Sequence, residues 1–156
     1  MFDSFEGLPE IDTDVDADNT HVKSGAWRPG ACQGVSKQQL LAMCAATLPA
    51  DRIQIYDGWF KDTIMNMPEN TKLALLHVDC DLYSSTMDVL DYCFANNVVS
   101  EGAAIFFDDY NCNRASPDHG ERKAWSQCID KYAIQHSDAG EYGWAGHKFY
   151  VHQYKA

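Results

Sequence analysis

Two apolar runs in this chain end in paired acids. Lys72 to Val78 leads into Asp79-Cys80-Asp81, and Gly102 to Phe107 leads into Asp108-Asp109-Tyr110. Segments this apolar, separated by one with helical periodicity, read as buried parallel strands, and open α/β sheets bind ligands just beyond the carboxyl ends of such strands. Four carboxylates would then face one crevice. Crowded acids repel one another unless a proton or a cation lies among them. Hard oxygen donors at this density suit Mg²⁺ or Ca²⁺ better than zinc, which normally recruits histidine or cysteine. Asp79, Asp108 and Asp109 are the candidate ligands. The competing role is structural: one acid of each pair caps the following helix or accepts loop amides. Asp81, just ahead of Ser84, Ser85 and Thr86, is the most open to it.

A second acidic group, Asp12 to Asp18, has the spacing of a calcium loop at first glance. It lacks glycine at the sixth position and has Lys23 at the twelfth, where a bidentate glutamate is required, so it reads as a solvated acidic loop. His21 follows directly. A lone loop histidine is ordinarily a surface residue, but one closing over the crevice could take a proton near neutral pH. Asp79-Cys80-Asp81 also resembles the Asp-x-Asp pair of haloacid-dehalogenase-like phosphatases. Here Leu82 and Tyr83 follow in place of Gly-Thr, and no catalytic lysine is evident. Phosphoryl transfer is therefore the second reading.

The elements that must position these groups fit one α/β domain over residues 1–156, a length able to bury a sizeable core. Residues 6–34 hold Pro9, Gly25, Pro29, Gly30 and Gly34 among acids without a sustained period, which predicts an acidic surface loop or lid. Ser36 and Gln39 form a capping box that opens a helix, with Leu40, Leu41, Met43, Cys44 and Leu48 on its apolar side before Pro49. Arg52 to Asp57 alternates as a strand and ends at Gly58. Val89, Leu90, Cys93 and Phe94 mark the buried face of a helix after Ser84, and a further helix is predicted over Glu121 to Gln135. The tail from Lys148 to Tyr154 alternates as a strand behind Gly143-Trp144-Ala145-Gly146, which predicts a hairpin.

The formal charge of −11 is uneven: seven acids precede the first base, Lys23, and the remainder carries 16 acids against 12 bases. Phosphate-rich partners are disfavoured, so neither nucleic acid nor an anionic membrane surface is expected. The six cysteines include no Cys-x-x-Cys pair and read as reduced core thiols. No apolar stretch approaches the ~20 residues of a membrane span, and Met1 to Glu6 lacks the features of a signal peptide, so a cytoplasmic protein is expected.

Four blocks in one order carry a resemblance. They are Phe2 to Pro9, Gly58-Trp59-Phe60-Lys61-Asp62-Thr63, the stretch from Asp79 to Asp88, and Phe107-Asp108-Asp109-Tyr110. Together they resemble the macrocin O-methyltransferase family, which includes sugar O-methyltransferases of macrolide and aminocoumarin biosynthesis. The resemblance implies a class I methyltransferase fold, a Rossmann-like, mostly parallel sheet with a C-terminal antiparallel hairpin. It also implies transfer of a methyl group from S-adenosylmethionine to a hydroxyl of a sugar-like small molecule, with Mg²⁺ in the site. On that footing Asp79, Asp108 and Asp109 match the metal-binding acids and Asp81 a general base. His21 falls where some members carry a loop histidine given that role. Asp3, with Ser4 beside it, ends the family's second strand, where an acid grips the cofactor ribose. Gly58 and Trp59 follow the third strand near the adenine pocket, although Trp59 and Phe60 serve equally well as core residues.

The chain departs from the family at its start. Relatives carry a first strand and a glycine-rich turn upstream of the Phe2 block, and no Gly-x-Gly-x-x-Gly occurs in these 156 residues. In the family's strand order, 3-2-1-4-5-7-6, the missing strand is central. Three arrangements answer this: a piece of a longer protein, strand 3 closed directly on strand 4, or a second polypeptide filling the gap. A bare central edge also favours association, including a homo-oligomer. A metal-binding remnant without turnover is the non-enzymatic alternative.

Overall fold

The computed structural model describes all residues 1–156. In chain order it contains β1 (Phe2–Asp3), α1 (Asp14–Ala17), α2 (Thr20–Lys23), α3 (Lys37–Ala45), β2 (Tyr56–Asp57), α4 (Phe60–Thr63), β3 (Leu73–Val78), α5 (Tyr83–Ala95), β4 (Val99–Phe107), α6 (Gly120–Tyr132), β5 (Gln135–Tyr142) and β6 (Gly146–Gln153). The larger sheet has the order β3-β4-β6-β5, with β3 and β4 parallel and β6 antiparallel to both of its neighbours. β1 and β2 form a separate parallel pair. These are the expected 4-5-7-6 and 3-2 groups, with no strand paired between β1 and β3. β2 does not close onto β3, so the smaller closed sheet is not the solution adopted.

The core forms where β4 meets α5 and α6. Val99, Ala103, Ile105 and Phe107 alternate inward from β4 and pack with Leu90 and Phe94 of α5 and Trp125 of α6. Phe107 lies 5.5 Å from the Trp125 ring and 6.1 Å from Phe149 of β6, centroid to centroid. Burying one such phenylalanine contributes roughly 1.5–3 kcal/mol, which anchors the strand end that carries Asp108 and Asp109.

Several local expectations are corrected. β3 is an edge strand rather than a buried one: Val78 is its sole buried residue and Leu75 is 56% exposed. The apolar side of α3 is also uncovered. The Ser36–Gln39 capping box is present, yet no residue of the helix is buried and Met43 is 62% exposed. The Arg52–Asp57 strand shrinks to two residues, because Ala50–Arg52 form a 3-10 turn and β1 offers only Phe2 and Asp3 as partners. α6 stops at Tyr132, where Ala133 turns left-handed (φ +48°) and leads into β5.

Residues 6–34 are structured rather than a bare loop. Leu8 and Trp27 are buried in a small cluster with Leu82, Cys112 and Ala145. Gly7 (φ +81°) is required there, since a β-carbon would sit 2.4 Å from the Ala31 carbonyl oxygen. Asp16, expected to be solvated, is buried: its carboxylate accepts from the Tyr83 and Ser84 amides at 2.7 and 3.1 Å and from the Thr13 hydroxyl. It caps α5 from outside, a helix whose own N-cap, Leu82, supplies no side-chain bond. All six cysteines are free, and four of them are buried. No helix is long and apolar enough to cross a membrane.

Candidate metal and active site

Parallel pairing of β3 with β4 persists to the last residue, and the Asp108 amide still donates to the Val78 carbonyl at 2.9 Å. Both acid pairs therefore emerge side by side at one edge of the sheet. Beyond Val78 the chain keeps alternating. Cys80 and Leu82 turn into the interior, while Asp79 and Asp81 face out. Asp81 adopts φ +57° at the centre of a tight turn in which the Leu82 amide donates to the Cys80 carbonyl. Aspartate tolerates this left-handed backbone better than most residues, and backbone strain of this kind gathers at functional sites. Gly120, at φ +54°, begins α6 so close to the turn that a β-carbon would lie 3.2 Å from the Asp81 carbonyl oxygen.

Oxygen atoms of Asp79, Asp81 and Asp109 lie within 4.8 Å of one another. Two unit charges about 4 Å apart repel by roughly 4 kcal/mol at an effective dielectric of about 20, so three ionised carboxylates cannot share this space uncompensated. Burial, together with the charges of Asp109 and Asp79, pushes the Asp81 carboxyl up to about 8. Asp79 is raised by burial and then by Asp108 and Asp109. Such a group is satisfied by a proton or by a hard cation.

Asp108 points elsewhere. Its carboxylate accepts from the Tyr142 hydroxyl at 3.4 Å and lies 3.9 Å from His77 Nε2. Strand alternation explains this: Asp108 shares the face of Phe106, whose ring packs on Tyr142 at 5.3 Å, whereas Asp109 shares the inward face of Phe107. The three acids that converge are thus Asp79, Asp81 and Asp109, with Asp81 where the sequence predicts Asp108. His21 packs its imidazole on Trp27, 4.7 Å between centroids, and its backbone amide on Asn19 and Asn113.

A cavity of about 730 Å³ opens beside the carboxylates, lined by Asp79 and Asp81 together with Asp3, Ser4 and Trp59. Its volume suits a small-molecule ligand. One oxygen of Asp3 accepts from the Phe5 amide at 2.7 Å, and Ser4 donates to the Gly7 carbonyl. Gly58 and His21 do not line the cavity. Gly58 makes the turn after β2 instead (φ +136°), with Thr63 pressed against it.

Glu121 escapes sequence reasoning. An acid in the first turn of a helix reads as a partner for the helix dipole. In the fold it is 1% exposed, and its two oxygens accept from the Cys80 amide at 3.3 Å and the Asp109 amide at 2.9 Å. Burial pushes its carboxyl well above the usual range.

Residues 1–134 match the family model described as Macrocin-O-methyltransferase (TylF). Among curated proteins, the chain is 32% identical over 133 residues to an 8-demethyl-8-(2,3-dimethoxy-alpha-L-rhamnosyl)-tetracenomycin-C 4'-O-methyltransferase of Streptomyces olivaceus, covering 83% of this chain and 49% of the relative. It is 34% identical over 109 residues to demethyldecarbamoylnovobiocin O-methyltransferase of Streptomyces niveus, covering 69% and 40%. It is 33% identical over 135 residues to mycinamicin III 3''-O-methyltransferase of Micromonospora griseorubida, covering 81% and 50%. The chain spans about half the length of these relatives. The solved structure of the O-methyltransferase NovP superposes with a TM-score of 0.75 at 25% identity, covering 97% of this chain and 59% of that one.

Proposed function

The chain belongs to the macrocin-O-methyltransferase family, and on that premise we propose that it works in methyl transfer from S-adenosylmethionine to a hydroxyl of a sugar-like small molecule, assisted by Mg²⁺. The observation that carries this reading is the convergence of Asp79, Asp81 and Asp109, of which Asp79 and Asp81 line a cavity shared with Asp3, Ser4 and Trp59.

The cluster fits a hard divalent ion: three carboxylates within 4.8 Å, no imidazole or thiolate among them, and Asp79 and Asp81 raised first by burial and then by their acidic neighbours. Asp79 and Asp109, one from each strand end, would hold the ion, with the charge of Asp108 beside Asp79. Mg²⁺ held by these residues would make a coordinated sugar hydroxyl more acidic and help to position it.

Asp81 is the proton acceptor in this scheme. As the acceptor oxygen forms its bond to the methyl carbon, the carbon–sulfur bond breaks, the sulfonium becomes a neutral thioether, and the hydroxyl proton passes to an Asp81 carboxylate oxygen. A carboxylate beside the acceptor hydroxyl can serve as a general base. His21 is the alternative base; its packing on Trp27, away from the cavity lining, favours Asp81. Asp3 and Ser4 would meet the cofactor ribose, and Trp59 its adenine.

The test supplies the purified protein with methyl-labelled S-adenosylmethionine and glycosides bearing free vicinal hydroxyls, with Mg²⁺ or with EDTA. Label should reach the glycoside only with Mg²⁺, and Asp79→Asn should need a higher Mg²⁺ concentration for the same rate. Transfer that persists in EDTA, or an unchanged Mg²⁺ requirement in Asp79→Asn, overturns the reading.

A further inference from the structure

We propose that Glu121 is a positioning residue that sets the spacing of the two acid-bearing loops, so that Asp79 and Asp109 can hold one cation with Asp81 beside it. This rests on the Mg²⁺ reading above. One carboxylate spans both loops: Oε1 takes the amide of Cys80, the residue between Asp79 and Asp81, and Oε2 takes the amide of Asp109. Glu121 thus ties the turn after β3 to Asp109 beyond the last paired residues of the two strands, Val78 and Phe107.

The choice of residue is otherwise hard to explain. Glu121 is buried to 1% exposure, forms no salt bridge, and feels the charges of Asp109 and Asp79. For helix packing alone, an apolar side chain would avoid that desolvation and repulsion. Two N–H donors converging from different loops call for one group with two acceptor atoms. A carboxylate provides that, while a glutamine offers one acceptor and one donor and must turn an N–H toward one of the amides. Groups behind metal ligands typically change affinity by about 10–100-fold when lost.

The experiment compares wild type, Glu121→Gln and Asp16→Asn. Asp16 is the matched control, a buried carboxylate that also accepts two backbone amides but outside the acid cluster. Mg²⁺ binding is measured by calorimetry, and amide hydrogen exchange at Cys80 and Asp109 is measured without metal. Glu121→Gln should weaken Mg²⁺ binding about 10-fold or more and speed exchange at one or both amides, while Asp16→Asn keeps wild-type affinity. Wild-type affinity in Glu121→Gln overturns the proposal, as does an equal loss of affinity in Asp16→Asn. Should wild type itself bind no Mg²⁺, the metal reading fails. The exchange data then decide separately: faster exchange at either amide sustains the clamp between the loops, and unchanged exchange at both overturns it.

Discussion

The Tyr83 amide donates to the Asp16 carboxylate at 2.7 Å across 67 residues of sequence. That bond, with its neighbour from Ser84, fastens the 6–34 segment to the first turn of α5, next to the turn that carries Asp81. A helix start is thereby satisfied by a residue from a different part of the chain, and an N-terminal acid there also complements the helix dipole.

Replacing Asp16 with alanine should therefore cost about 1–2 kcal/mol, the upper part of the range for lost N-caps, because the amides are left in a buried setting. In a domain of this size that lowers the thermal midpoint by roughly 2–8 °C. Limited proteolysis should show earlier cleavage within residues 6–34. A midpoint and cleavage pattern equal to wild type would mean that the segment is held by Leu8 and Trp27 alone.

β3 yields a contrasting pair of substitutions. Leu75 is exposed on an edge strand, whereas Ile105, on the neighbouring β4, is fully buried. Leu75→Lys should change stability by no more than about 0.5 kcal/mol, and a charge on an open edge should reduce self-association. Ile105→Ala should cost about 2–5 kcal/mol. Chemical denaturation measures both. A loss of several kcal/mol in Leu75→Lys would show that β3 is covered in solution.

These residues also mark how far the sequence could be read. The acids at two strand ends, the Ser36–Gln39 box and the order of the strands follow from patterns within a few residues or from the four family blocks. Burial of Leu75 is not such a property: an apolar run is the same string of letters whether or not a strand lies alongside it. Asp16 and Glu121 look like ordinary solvated or first-turn acids because their donors arrive from 67, 41 and 12 residues away. The exchange of Asp81 for Asp108 in the converging group depends on one backbone angle, φ +57° at Asp81, and on the inward phase of Phe107. Neither is written in residue type.

The acid cluster should make metal-free stability fall as pH rises. The Asp81 carboxyl is held up to about 8 in the fold against about 3.9 in an unfolded chain. Between those values the folded state binds more protons than the unfolded state, so stability declines across the window and levels off above about pH 8. Asp79 is raised too and acts with the same sign. Melting in EDTA should show the midpoint dropping by several degrees from about pH 6 to about pH 8.5, with Mg²⁺ restoring more at the higher pH. Asp81→Asn should flatten the curve. A midpoint that rises over this range would contradict the electrostatics of the cluster.

The geometry separates the four acids by role, and single amide substitutions test the separation. Asp79 and Asp109 come from the two strand ends and meet directly, so Asp79→Asn or Asp109→Asn should reduce Mg²⁺ affinity about 10-fold or more, as loss of one charged ligand from a small site implies. Asp108 faces Tyr142 and His77 and influences Asp79 through its charge, so Asp108→Asn should weaken binding less than either. Asp81→Asn should leave binding within several-fold of wild type but lower turnover by roughly 10²–10⁴, the usual contribution of a general base. Calorimetry with Mg²⁺ gives the first three comparisons and label transfer the fourth. If Asp108→Asn proves as damaging as Asp109→Asn, the Asp108 carboxylate must leave Tyr142 to bind the ion. If Asp81→Asn abolishes binding and turnover together, Asp81 is a ligand and the proton goes to another group.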